Sequence, residues 1–217
     1  MNFIAKTPRS RRQQRKLDNH QRLIDATIDL IAEGGISAVT VSRVVERAGV
    51  SRGLINLHFE TKDGLLTETL IALNREWEEV YEALMAEDYA HPAERLLAIV
   101  LMSYRPPIFD TKKNSAWHCF YADPRFRDFY QQHCFASDQE FLEVVGGLCD
   151  RLNAEGDYGL GPGMEIARSL RALTGGLWLE LLTEPDHFDL DEAIRICRST
   201  LNRFFPDHIP AEPPVQS

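Results

Sequence analysis

From Leu66 to Leu84 the large apolar side chains return every third or fourth position: Leu66, Leu70, Leu73, Trp77, Val80 and Leu84. That spacing lays all six on one face of an α-helix and excludes the two-residue alternation of a half-buried strand. A helix of about five turns with one apolar face must find apolar partners, and the rest of the chain offers them in the same form. Leu23, Thr27, Leu30 and Ile31 share one face of an earlier helix. No strand-like alternation and no internal repeat interrupts the pattern. The fold class expected is all-α.

Cap and breaker residues divide the chain into about nine helices. Asp18 with Gln21 resembles a capping box opening the first, which Gly34-Gly35 closes. Thr40 is placed to cap Val41–Ala48, Gly49 breaks it, and Ser51 stands before a third helix, Arg52–His58. Thr61 caps the long helix. Pro92 opens the next, which stops before Pro106-Pro107, and another runs from about Ser115 to Asp123-Pro124. A long helix then reaches about Ala154, followed by a glycine-rich loop from Gly156 to Gly163. The last two helices are about Met164–Thr183 and Leu190–Phe205, the latter capped by Asp189. The organisation expected is a basic, disordered arm over 1–17, a three-helix DNA-binding domain over 18–64, a helical effector-binding and dimerisation domain over 65–206, and a disordered tail over 207–217.

Charge divides along the same line. The net charge of the 217 residues is −9, yet eleven basic residues face six acidic ones through Lys62, a local +5, leaving −14 for the rest. From Lys6 to Lys16 there are six positive charges and no negative one. A basic first quarter on an acidic body suits local attraction to phosphate with little non-specific wrapping. No apolar run is long enough to span a membrane, and no apolar segment follows the basic N-terminal residues as in a signal peptide, so a cytoplasmic protein is expected. Cys119, Cys134, Cys149 and Cys197 are scattered, which suits reduced thiols. His118-Cys119 and His133-Cys134 have no recognised ligand spacing, so no metal is expected, and no cofactor. Adjacent residues on a helix point apart, so His118 does not activate Cys119, and no phosphate loop or hydrolase elbow is present. An enzyme is not expected.

Two short helices joined by the tight Ala48-Gly49-Val50 turn, behind a first helix, make a helix-turn-helix. Its second helix would present its N-terminal residues, Ser51, Arg52 and Gly53, to a major groove, with Asn56 one turn later. Arg52 has the donors for a guanine and Asn56 the pair for an adenine, while Gly53 permits close approach. Thr40, Ser42, His58 and Lys62 suit phosphates, which fix register without reading sequence. Thr40 and Ser51 suit helix capping equally well. A three-helix packing unit without a ligand is the plainer alternative; the basic arm and the charge division weigh against it.

The stretch Thr40–Leu66, T-V-S-R-V-V-E-R-A-G-V-S-R-G-L-I-N-L-H-F-E-T-K-D-G-L-L, resembles the signature of TetR-type repressors, including the aromatic at Phe59 and the lysine at Lys62. It departs at Asn56, where many relatives carry tyrosine, and at Leu57, so half-site preference does not transfer. Ser51–Phe59, S-A-W-H-C-F-Y over Ser115–Tyr121 and T-G-G-L-W-L over Thr174–Leu179 are similar to the BetI-type branch, repressors of choline-to-glycine-betaine genes. The resemblance implies a homodimer on a palindromic operator that responds to a small effector. Trp117, Phe120 and Tyr121 with Asp123, and Trp178 with Glu180, are the candidate effector site, since aromatic faces beside a carboxylate suit a quaternary ammonium such as choline. Core packing is the other role open to these aromatics, and another small amine or a hydrophobic molecule the other effector. Leu170, Leu173, Leu177 and Leu181, with Ile194, Ile196, Leu201 and Phe204, are the apolar material expected between subunits, with Gly175 and Gly176 allowing close approach.

Overall fold

A computed structural model describes residues 11–211, and these contain ten α-helices and three short 3₁₀ turns, with no strand among the described residues. The helices are α1 Arg11–Gly34, α2 Val41–Ala48, α3 Gly53–His58, α4 Lys62–Ala86, α5 Pro92–Leu101, α6 Thr111–Ala122, α7 Arg127–His133, α8 Phe135–Gly156, α9 Gly163–Thr183 and α10 Leu190–Phe204. They form two compact units, one ending at Ala72 and the other beginning at Leu73.

In the first unit α1 is already helical at Arg11, the first described residue, seven residues before the cap expected at Asp18. The reason is local. Arg, Gln, Lys and Leu over 11–17 are good helix formers with no breaker among them. Asp18 therefore lies inside the helix and accepts from Gln14 Nε2 (2.8 Å), and Gln21 Nε2 reaches Asp25 rather than an N-cap (2.9 Å). The expected disordered arm is helix over 11–17; its residues 1–10 lie outside the described residues. The buried face of α1, with Leu23, Ile24, Leu30 and Ile31, packs with Val39, Val44, Ala48, Ile55 and Phe59. Thr27 is buried among them because its hydroxyl donates to the Leu23 carbonyl at 2.8 Å.

Thr40 caps α2, its Oγ1 accepting from Arg43 N. Gly49 ends that helix at φ 62°, in the left-handed region that costs a side chain about 1 kcal/mol or more. Val50 N then bonds back to Val45 O at 3.0 Å. Ser51 makes no side-chain cap bond: Arg52 occupies the cap position in helical geometry and α3 starts at Gly53, one residue later than expected. Thr61 Oγ1 accepts from Gly64 N (3.0 Å) at the start of α4.

The second unit closes around Leu96, Ile99, Leu142, Cys149, Leu152, Ala167, Cys197, Leu201 and Phe205, each within 2% of full burial or better. Helices α8 and α9 touch at their backbones, where a Cβ on Gly163 would collide with the Gly146 carbonyl. Asp150 of α8 accepts from Gly163 N (2.7 Å) and so secures the start of α9. The loop between them is pinned by Asn153, which bonds both the N–H and the carbonyl of Leu160.

Three expectations are corrected here. Helix α6 starts at Thr111, four residues early, because Asp110 caps it by accepting from Lys113 N. The helix expected from about Pro124 to Ala154 is a 3₁₀ turn, then α7, then α8, interrupted at Cys134; this makes ten helices rather than nine. The tail is not disordered over 207–211. Ile209 is 1% exposed and its carbonyl accepts from Asn202 Nδ2 (2.8 Å), while 212–217 lie outside the described residues.

Candidate functional site

One candidate site is the outer surface of α2 and α3. Thr40, Ser42, Ser51, Arg52, Gly53 and Asn56 are all exposed and Lys62 is half-buried. At Gly53 an added Cβ would meet no atom of the protomer, so the fold itself does not require glycine there. The lone pair of Thr40 that caps α2 leaves its hydroxyl proton free to donate outward. One side chain departs from expectation. His58 tucks against His20 and Phe59, and its Nε2 is buried without a hydrogen-bond partner. Burial, then the charges of His20 and Lys16, push its pKa below the ordinary imidazole value, so the ring is held neutral and is a poor phosphate ligand. Arg43, though exposed, donates to the Ala38 carbonyl (3.0 Å) and lies 3.6 Å from Glu33. Arg47 is likewise tied to Glu33 at 2.7 Å. The charge division thus overstates what this face offers to phosphate. Leu57, beside Asn56, is 62% exposed.

The second candidate is a cavity of about 500 Å³ in the second unit. Trp77, Phe141, Trp117, Tyr121 and Trp178 supply aromatic wall, and Asp138 a carboxylate. Helix α6 stacks Trp117 on Tyr121 (centroids 5.4 Å apart), and Tyr130 meets Tyr121 edge-on at 5.2 Å. Tyr130 donates its hydroxyl to Asp138. Tyr121 is 55% exposed as a residue, yet burial and the Asp138 charge raise its pKa: the ring edge is open and the phenol end enclosed. Burial also raises the Asp138 pKa, against the opposing pull of the Tyr130 hydroxyl and Arg171. The buried amide of Asn114 ties α6 to α9 by donating to the Trp178 carbonyl (2.8 Å). His118 faces the Asn114 carbonyl through Nδ1 (2.9 Å); a carbonyl only accepts, so Nδ1 carries a proton, and in the neutral imidazole Nε2 is the acceptor.

Of the residues expected in an effector site, Trp117, Tyr121 and Trp178 line this cavity and three do not. Phe120 is 2% exposed and packs edge-on to Phe126. Asp123 caps the 3₁₀ turn and is held by Arg125, whose side-chain and backbone bonds keep its pKa below the usual carboxylate range. Glu180 is exposed, two positions and so about 200° around α9 from Trp178. Sequence reading missed Trp77, read only as helix face, and Asp138 and Tyr130, whose meeting depends on the break at Cys134. The thiol of Cys134 is buried and pushed up to about 12, so thiolate chemistry is disfavoured there.

Residues 23–69 match the tetR family of bacterial regulatory proteins, and residues 92–206, more than half of the chain, match the C-terminal domain of BetI-type transcriptional repressors. The chain belongs to the TetR family. Its second unit is of the BetI type, and the protein is a TetR-family transcriptional repressor. The HTH-type transcriptional regulator BetI of Serratia proteamaculans is 29% identical over 203 residues, covering 88% of this chain and 94% of the relative. The BetI of Escherichia coli K12 is 28% identical over 194 residues, with the same coverage. Among solved structures, a transcriptional regulator of Pseudomonas aeruginosa PAO1 superposes with a TM-score of 0.71 at 26% identity, covering 92% of this chain and 94% of that one. A regulator of Saccharomonospora viridis, crystallised in complex with choline, superposes with a TM-score of 0.68 at 23% identity, over 89% and 98% of the two chains, and shows a shared fold. For this TetR-family repressor the helix-turn-helix falls inside the first matched region and the cavity, except for Asn74 and Trp77, inside the second.

Proposed function

We propose that this repressor acts in the cytoplasm as a homodimer on a palindromic operator and senses a small quaternary ammonium compound, choline or a close relative, in control of glycine betaine synthesis genes. The cavity carries the reading. Three tryptophans and a carboxylate around one space suit a cation that has no N–H to donate, because ring faces attract it without a hydrogen bond. His118 Nε2 is an acceptor suited to a ligand hydroxyl. The BetI-type match and the choline complex of the Saccharomonospora viridis regulator support the same class. Asn74 and Trp77 belong to α4, which starts at Lys62, so one helix runs from the reading unit to the cavity wall. A ligand that prefers one position of that helix changes operator affinity.

Calorimetry with choline tests the effector. One site per protomer is expected, and Trp117→Ala should weaken it about tenfold, a cation–π contact of roughly 1.4 kcal/mol, with operator binding intact. No heat from choline or betaine aldehyde, with operator binding confirmed, removes choline and leaves a repressor of another small amine or an apolar ligand. On DNA, Arg52→Ala should relax base preference at a cost of about 1–3 kcal/mol, while Lys62→Ala should weaken all sequences alike. Equal gel-shift affinity for operator and scrambled DNA would overturn the DNA reading.

A further inference from the structure

Away from both sites, His91, Glu155 and His208 bring three metal-ligating side chains together, with their donor atoms all within 4.8 Å of one another. We propose that they form a binding site for a borderline divalent cation, Zn²⁺ by preference, which fastens the C-terminal turn to the rest of the second unit.

The residues lie 64 and 53 positions apart, on three elements, so no sequence spacing announces them. Each is placed by something other than the cluster itself. His91 is the N-cap residue of α5, its Nδ1 accepting from Ala93 N at 3.2 Å. Glu155 stands on the last turn of α8 with Oε1 engaged by Arg151 (2.8 Å), which leaves Oε2 for the two histidines. His208 sits in the turn after α10, its Nδ1 2.7 Å from the Tyr158 hydroxyl, in the segment anchored by buried Ile209. The two imidazoles stack with centroids 5.1 Å apart and 18° between planes, and both turn Nε2 toward Glu155 Oε2, at 3.3 and 4.0 Å.

Tetrahedral zinc with bonds near 2.0–2.1 Å sets its ligand atoms about 3.4 Å apart. The His91–Glu155 pair already has that spacing, the His208–Glu155 pair needs to close by a little over half an ångström, and the two imidazole nitrogens, within 4.8 Å of each other, close as the rings turn onto the ion. Two imidazole nitrogens and one carboxylate oxygen favour Zn²⁺ over Mg²⁺ or Ca²⁺, which demand oxygen donors. With His91 and Glu155 side chains 40% and 33% exposed, a fourth position opens to solvent. Binding displaces the Nε2 protons. His208 then donates Nδ1–H to the Tyr158 oxygen, an outer-shell partner of the usual kind. His91 gives up its cap bond to Ala93, so the site is expected to bind in the micromolar range and not as a zinc finger does.

The test uses the full chain, free of any affinity tag and dialysed against chelator, titrated with ZnCl₂ by calorimetry and followed by thermal unfolding. One Zn²⁺ per protomer is expected, with a Kd of about 10 µM or tighter and a raised Tm, and no Tm change with Mg²⁺ or Ca²⁺. Glu155→Gln and His208→Gln should each weaken binding at least about tenfold, as should His91→Asn, which keeps an acceptor for the α5 cap. His187→Gln, on an exposed histidine outside the cluster, should change nothing. Circular dichroism shows that each variant is folded before titration. Absence of saturable Zn²⁺ binding in the wild type, or unchanged affinity in folded Glu155→Gln and His208→Gln, overturns the proposal.

Discussion

Burial and a bound cation would pull the proton of Asp138 in opposite directions. In the free protein its folded-state pKa is raised above the unfolded value, chiefly by burial. The folded state therefore holds a proton that the unfolded chain has already released, and stability falls as pH rises from the ordinary carboxylate value through the folded one. A cation against the carboxylate favours the ionised form, so choline affinity should rise with pH across the same window. Asp138→Asn should flatten both profiles, leave the unliganded protein at neutral pH no less stable, and weaken choline. Calorimetry and thermal unfolding at several pH values separate the two effects. Weakened choline binding with an unchanged pH profile would show that Asp138 is not the titrating group.

The core of the second unit claims half of the residues expected between subunits. Leu170, Leu177, Leu181 and Leu201 are buried within the protomer, so they cannot also face a partner. Among the exposed residues of α9, Ala172, Gly176 and Leu179 share one face at helical spacing, with open space at Gly176, while Gly175 lines the cavity. Leu179→Glu should therefore split the proposed dimer while the protomer stays folded, and Leu177→Glu should destabilise the protomer itself by several kcal/mol. Light scattering beside circular dichroism distinguishes them. At the α8–α9 contact, Gly163→Ala should cost about 1–3 kcal/mol in unfolding, since backbone must move to admit the methyl. The helices α2, α4, α5 and α10 were legible because Thr40, Gly49, Thr61, Pro92 and Asp189 act locally. The break at Cys134 was not, since no proline or glycine marks it, and with it went Asp138 and Tyr130. Asp123 lies near Trp117 in sequence, but a short-range bond to Arg125 claims it.

For the whole molecule, charge counted along the chain is a poor guide to charge presented to DNA, because Glu33 holds both Arg43 and Arg47. The salt dependence of operator binding should accordingly be shallower than eleven basic residues per reading head imply, and Glu33→Gln should steepen it. Helix α4 has a wider consequence. From Leu65 to Ala86 it contains neither glycine nor proline, the residues at which a helix most readily kinks. By linkage, whatever free energy the effector contributes to operator binding, the operator contributes equally to effector binding. Protein saturated with operator should bind choline more weakly, or more tightly, by the same factor by which choline changes its grip on the operator. The repressor would thus read its metabolite with one sensitivity when seated on the gene and another when free.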